Sequence, residues 1–323
     1  MRIRLSFIVV FVAALANIQA EAAQPAYPSR PIRVIVGFPP AGAADIFARL
    51  VGQKLTEAWG QSVVVDNRPG AGSTIGSEIV ANATPDGYTL MVVSASYSTS
   101  AGLYRKLKYH PIDSFIPITQ ISSSPNVFMA HPSVPVKTVM DVIRTAKTSP
   151  GKFTIGSSGT GSITHLSGEL FASMARIRLV HVPYKGGGPN LIALIGGEIN
   201  LSFASVPASL GHVKAGRVRA LGVTSAKRSP VLPEVPTVAE SGVPGYEAAN
   251  WFGFLAPAGT PKAIVAKLSK QIVEILRSPE SAGAIKKEGG EVVGGTPDAF
   301  KKHLQSEIAK WTKVIDEAGV PTQ

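Results

Sequence analysis

Two short stretches hold the residues whose types and spacing could do chemistry. Gly156–His165 (GSSGTGSITH) offers hydroxyls from Ser157, Ser158, Thr160 and Ser162, with backbone N–H groups exposed by Gly159 and Gly161. Such a loop can cradle a carboxylate or a phosphate. It lacks the Lys-Ser/Thr ending of a P-loop and reads equally as a structural loop. His165, in the first turn of the helix that follows, could donate to an anion or act as an acid/base; a lone histidine also reads as an ordinary hydrogen-bonded residue. The second stretch is Arg33–Leu50 (RVIVGFPPAGAADIFARL). There Asp45 suits the start of a helix, where a carboxylate favours the dipole and can cap. Asp45, His165 and a serine would compose a hydrolase on paper. No G-x-S-x-G elbow surrounds any serine, and the six histidines show no H-x-x-x-H or H-x-H spacing for zinc.

Both stretches need a strand that turns into a helix. Arg33–Phe38 reads as a short buried strand, with Val34, Ile35 and Val36 in an unbroken apolar run. Pro39, Pro40 and Gly42 forbid regular structure. Ile46, Phe47, Leu50 and Val51 then repeat at helical spacing. A strand turning through Pro and Gly into a helix leaves unpaired N–H groups at the helix start, which attract anions. In an open α/β sheet that turn lies where ligands bind. The turn is therefore either half of an anion-binding cleft or an ordinary βα connection.

The pattern repeats along the chain. Strands at 61–67 and 88–93 with a helix at 74–83 make the first region β-α-β-α-β, which predicts a parallel sheet with right-handed crossovers. The third strand ends in the polar cluster Ser94–Ser98. Strand-like segments at 115–121 and 126–130 flank Ser122–Pro125, read as the crossing to a second lobe. That lobe repeats the β-α logic: strands at 153–156, 178–182, 199–203 and 218–223, helices at 138–147, 163–175, 189–195 and 206–215. Residues 246–255 read as the return crossing, 261–276 as a helix beginning at proline, and 300–318 as an amphipathic helix with Leu304, Ile308, Trp311 and Ile315 on one stripe. Two lobes joined by two crossings describe a hinged cleft.

At 323 residues the chain is long for one core, and 45% hydrophobic with 16% charged residues suits a folded soluble protein. Arg2 and Arg4, the apolar run Leu5–Leu15 and the small-x-small site Ala20-Glu21-Ala22 read as a signal peptide at 1–22, cleaved after Ala20 or Ala22. Loss of the two arginines lowers the formal charge from +11 to +9. With no cysteine there is no disulfide, thiol chemistry or lipidated anchor, so the expectation is a mature protein freely soluble outside the cytoplasm. The dispersed basic residues exclude a nucleic-acid stripe and fit the steering of anionic ligands.

Motifs along the whole mature chain carry a resemblance. They include Tyr27–Ile32 (YPSRPI), Phe38–Asp45, Val65–Gly72 (VDNRPGAG), Pro85–Leu90 (PDGYTL) and Val182–Gly186 (VPYKG). Gly216–Leu221 (GRVRAL), Leu232–Thr237 (LPEVPT) and Ala256–Pro261 (APAGTP) continue them in order. The chain resembles the periplasmic substrate-binding proteins of tripartite tricarboxylate transporters, the Bug-type receptors. The resemblance implies a two-lobed Venus-flytrap α/β fold with parallel-dominated sheets flanked by helices. Lobe 1 would take residues 23–125 plus 246–323, and lobe 2 residues 126–245. It implies a monomeric receptor with no catalytic activity, cofactor or metal, which passes small carboxylates to membrane permease subunits. The ligand-binding positions would be Phe38, Ala41, Gly42, Ala43, Ala44 and Asp45 on one side, and Ser157, Ser158, Gly159, Thr160, Gly161 and Ser162 with His165 on the other. Ser94, Ser96, Ala204 and Ser205 would close strands facing the cleft.

Two departures from the family pattern bear on the ligand. Ala43 and Ala44 replace a glycine and a hydroxyl often found before the aspartate, and Ala204 stands where an aspartate is frequent. Without a buried carboxylate there to meet an ammonium, the expected ligand is a non-amino mono- or dicarboxylate, with aromatic acids of the phthalate type included. Phe38 and Tyr97 would then pack on a ring. The competing readings are an exported hydrolase using His165 and Asp45, and a ligand-sensing receptor for a membrane kinase.

Overall fold

The computed structural model describes residues 27–323; the signal peptide read at 1–22 lies outside them. The chain opens with β1 (Ile32–Val36), α1 (Ala43–Trp59), β2 (Val63–Asn67), α2 (Thr74–Ala81), β3 (Thr89–Ser94), α3 (Ala95–Leu103) and β4 (Phe115–Ser124). It continues with β5 (Asn126–Ala130), α4 (Val139–Thr148), β6 (Thr154–Ser157), α5 (Ile163–Ala175), β7 (Val180–Pro183), α6 (Gly187–Ile195), β8 (Leu201–Ser205), α7 (Val206–Lys214) and β9 (Arg219–Val223). It returns through β10 (Asn250–Pro257), α8 (Lys262–Arg277), α9 (Pro279–Lys287), β11 (Glu291–Val292) and α10 (Pro297–Glu317). Among the described residues no helix is long and apolar enough to cross a membrane.

Two sheets organise these elements, in the orders β11-β4-β10-β3-β1-β2 and β7-β6-β8-β5-β9. β1 pairs in parallel with β2 and β3, and β6 with β7 and β8. β10 enters antiparallel between β3 and β4, and β5 runs antiparallel to β8 and β9. The sheets are thus mixed where the sequence suggested parallel dominance. The parallel rule holds inside each βαβ core, but strands arriving by a crossing run the other way.

Local chemistry explains the elements. In α1, Phe47, Val51 and Leu55 recur every fourth residue and are buried, and Gly60 closes the helix in the left-handed conformation at φ 68°. The stretch Ala95–Leu103 has the composition of a loop yet forms α3. Tertiary packing overrides propensity there: Tyr97 is 2% exposed, lies against Tyr109 and Phe115, and donates its hydroxyl to the Pro111 carbonyl at 2.8 Å. Tyr97 therefore belongs to the core, and it does not face a ligand. β4 runs on through Ser122–Ser124, so Pro125 alone separates it from β5.

The terminal helix ties the lobes together. Phe300 and Leu304 of α10 share a cluster with Ile35, Met91 and Trp251 beneath the first sheet. Trp311, Val314 and Ile315 sit with Phe128, Phe171, Phe203 and Tyr246 beneath the second. Between them the buried Glu307 accepts indole N–H groups from Trp251 and Trp311, both at 3.0 Å, and pairs with Lys310.

Candidate functional site

Three helices, α1, α2 and α3, follow the carboxyl ends of β1, β2 and β3, and three more, α5, α6 and α7, follow β6, β7 and β8. Their N-termini therefore gather at the edge of each sheet where the parallel strands end. The lobe 2 edge touches lobe 1 at the C-terminal end of α3: a Cβ on Gly161 would come 2.6 Å from Leu103 Cδ1.

On the lobe 1 edge, Gly37 is pressed against Ser73, so closely that an added Cβ would lie 2.6 Å from the Ser73 Cβ. Ala41 adopts φ 68°, a left-handed conformation that costs a non-glycine residue about 1 kcal/mol. Its N–H donates to Asp45 Oδ2 at 3.0 Å. The same oxygen accepts from Arg49 Nε at 2.9 Å, and Oδ1 accepts from Asn67 Nδ2 at 3.0 Å. Asn67 Nδ2 also donates to the Phe38 carbonyl, and Arg49 Nη2 to Asn67 Oδ1. Burial pushes the Asp45 carboxyl upward, but hydrogen bonds from Arg49, Ala41 and Asn67 outweigh it and hold the group below the usual range.

The residue pattern makes Asp45 a helix-start cap, while the resemblance places it among the ligand-binding positions. Its side chain is only 4% exposed, and both oxygens are committed to the turn. It positions the loop by reaching back past the N-cap, much as the acidic residue of a capping box does. What the loop presents outward is backbone: the N-cap Gly42 gives no side-chain bond, and among the described residues the N–H groups of Ala43 and Ala44 have no partner. Phe38 is half-buried against the lobe 1 core. Ser94 precedes α3 without capping it, its hydroxyl 2.8 Å from that of Ser96.

On the lobe 2 edge the hydroxyls bond chiefly within the loop. Ser157 Oγ lies 2.7 Å from His181 Nε2 and accepts from Gly159 N. Ser158 Oγ lies 2.7 Å from Thr164 Oγ1, and Ser162 Oγ donates to the Gly159 carbonyl at 2.6 Å while capping α5 through His165 N. Gly159 and Gly161 take φ 130° and 78°, values that favour glycine. The serines thus shape the cradle, whereas the side chain of Thr160 is exposed and the N–H groups of Ile163 and Thr164 have no partner among the described residues. Ser205 is exposed at the start of α7. Ala204 is not a cleft residue: it is 4% exposed in the apolar cluster of Val127, Leu191, Val206 and Val223. Strand alternation turns it to the opposite face from Phe203.

His165 likewise faces its own loop. Its Nδ1 accepts the Gly161 N–H at 3.1 Å, which places the proton on Nε2, 3.3 Å from Glu169 Oε1. Its ring stacks on that of His181, centroids 3.8 Å apart. Burial and the adjacent His165 push His181 down to about 4. Sequence reasoning passed over His181; the signal was its register, which pairs it with Ile155 two residues before Ser157. Asp45 and His165 belong to separate networks, and no hydrolase triad is assembled from them.

Two α/β lobes whose facing edges display helix N-termini define a solute-binding protein. The model of the tripartite tricarboxylate transporter family receptor matches residues 47–320, and the chain belongs to that family of periplasmic solute-binding receptors. It is 36% identical to the protein BugT of Bordetella pertussis over 317 residues, 98% of this chain and 97% of the relative. Rpa4515 of R. palustris, solved with adipate, superposes with a TM-score of 0.77 at 39% identity, covering 92% of this chain and 100% of that one. MatC of Rhodopseudomonas palustris, solved with bound malate, gives 0.73 at 29% identity, covering 90% and 100%. The family and these neighbours are receptors, not enzymes.

Proposed function

We propose that this chain is exported through its signal peptide without a lipid anchor, captures a non-amino aliphatic dicarboxylate as a monomer, and delivers it to a tripartite tricarboxylate transporter permease. The observation that carries this reading is the set of unpaired N–H groups at the starts of α1 and α5, the second beside a loop whose Gly161 lies against Leu103 of α3. Each set suits one carboxylate. Lobe 1 (23–125 with 246–323) would supply Gly42, Ala43 and Ala44, with Ser94 and Ser96 beside them. Lobe 2 (126–245) would supply Thr160, Ile163 and Thr164, with Ser205 at the margin. Adipate and malate, bound by the two neighbours, carry two carboxylates and no ammonium. Binding would bend the hinge at Pro125 and before β10.

A thermal-shift and calorimetric panel of adipate, malate, succinate, phthalate, aspartate and glutamate tests the reading. A ligand at about 100 times its Kd adds roughly 2.7 kcal/mol. Stabilisation by adipate or malate above the amino acids is the expected result. Preference for aspartate or glutamate overturns the ligand class, and silence across all six overturns dicarboxylate capture.

A further inference from the structure

Most polar side chains of the lobe 2 cradle are used internally, so something must set the direction of its free N–H groups. The candidates lie directly behind it. Gly161 N–H is held by His165 Nδ1 and Ser157 Oγ by His181 Nε2, at 3.1 and 2.7 Å, and the two imidazoles stack at 3.8 Å. His165 is 6% exposed and His181 half-buried. The remaining charged neighbour is Glu169 of α5, at the far side of His165. β6, β7 and β8 add no titratable side chain apart from His181 itself.

We propose that the stacked His165–His181 pair positions the carboxylate cradle of lobe 2 while the His181 ring is neutral, so that acid loosens the cradle and weakens ligand capture. This rests on the dicarboxylate reading above. Gly161 N–H needs an unprotonated Nδ1; a proton there sets two donors against each other. A proton on the His181 ring, stacked at 3.8 Å on His165 and bonded through Nε2 to Ser157, would remove an acceptor from the Ser157 hydroxyl.

The sign follows from linkage. Burial and the adjacent His165 hold His181 down at about 4 when the loop is packed as in this structure, against 6.5 for an unburied histidine. Between those values an opened loop holds a proton that the closed loop does not, so the closed form loses stability as pH falls through that window and is fully stable above it. The pair therefore acts through the loop's geometry and not by touching the ligand.

The test is adipate affinity across pH 7.5 to 4.5, read as the ratio of variant to wild type so that ligand ionisation cancels. His165→Ala and His181→Ala each weaken binding about tenfold at neutral pH. The double variant His165→Asn with His181→Gln places non-titrating polar atoms near Nδ1 and Nε2. It recovers affinity to within about threefold and outbinds wild type by about threefold or more at the acid end. Without ligand, the Gly161 amide resonance shifts over the same window in wild type and stays still in the double variant. Parallel pH curves, or a Gly161 amide that does not move in wild type, overturn the proposal. If wild type binds no dicarboxylate, the functional reading fails, and the Gly161 titration still decides the role of the pair.

Discussion

The turn from β1 to α1 is held by a buried charge, and the turn from β6 to α5 by neutral groups. In lobe 1, Asp45 gathers Ala41, Arg49 and Asn67 around one carboxylate and holds Ala41 in a left-handed conformation. In lobe 2, glycines take the left-handed positions and hydroxyls and imidazoles make the bonds. Both end in helix starts with free N–H groups. Among the helices remote from these edges, α4, α9 and α10 begin with Thr138, Ser278 and Thr296, each of which caps its helix through its side chain. At the edges, α1, α2, α3, α6 and α7 carry no such cap, whereas α5 is capped by Ser162, and the remote α8 is uncapped as well. A side-chain cap is worth about 1 kcal/mol; α1 forgoes it and keeps its first N–H groups open to an anion, while α5 commits only the His165 N–H to Ser162 and leaves those of Ile163 and Thr164 open. The lobe 1 edge also places a negative charge near the site, and Arg49 offsets it.

The sharpest way to break the comparison is to remove the charge. Asp45→Ala should cost about 2–3 kcal/mol of stability, the range for a lost buried charge-assisted network, measured by denaturant unfolding. It should cost adipate affinity as well. Because the folded carboxyl titrates below its unfolded value, its contribution is fully present above the unfolded value and is lost as pH falls through the folded one. The wild-type advantage should therefore be flat from pH 7 to 5 and shrink only at stronger acid. An advantage that already fades between pH 7 and 5 would contradict the Asp45 network.

Gly161→Ala tests the other edge. The residue has φ 78°, and a Cβ would meet Leu103 Cδ1 at 2.6 Å. Left-handed strain of about 1–2 kcal/mol should appear in the ligand-free protein, and closure against Leu103 should be hindered as well. Equal loss in Leu103→Ala/Gly161→Ala would leave backbone strain as the cause; partial recovery would assign part of it to the contact between lobes.

The legible and illegible parts divide by the range of the interactions. The βα units around Arg33–Leu50 and Gly156–His165 were readable because apolar runs, Pro-Gly turns and helical periodicity are local signals. α3 was missed because its polar composition forms a helix only when Tyr97 has Tyr109 and Phe115 to pack on. The roles of the site residues were legible only in part. Position 45 was correctly placed at a helix start, but its partners Asn67 and Ala41 are set by three dimensions. His181 acquires meaning only through the parallel register of β6 and β7. The resemblance assigns Ala204 to the cleft, and sequence marks the end of a strand but not which face its last side chains take.

A smaller effect isolates the backbone donors themselves. Ala43 is the first residue of α1, where proline is favoured and its missing N–H breaks no helical bond. The preceding Gly42 already has φ −79° and ψ 163°, compatible with a following proline. Ala43→Pro should leave the melting temperature unchanged and weaken adipate binding by about tenfold, the worth of one hydrogen bond to a charged group. Undiminished affinity in a folded variant would remove this donor from the site.

The smallest effect concerns strain. Ala41 holds φ 68° with its side chain exposed, and Asp45 supplies the bond that keeps it there. Ala41→Gly relieves the left-handed penalty of about 1 kcal/mol but adds freedom to the unfolded chain, which returns about half of it. The expected net is a stabilisation of under about 1 kcal/mol by denaturant unfolding. The informative comparison is with Asp45→Ala in both backgrounds. If Asp45 serves to hold a strained residue, its removal should cost less when residue 41 is glycine, because the turn then needs no bond to stay left-handed. Additive losses would mean that the carboxylate acts on Arg49 and Asn67 alone, and that the edge of lobe 1 is built by charge pairing without regard to the conformation of Ala41.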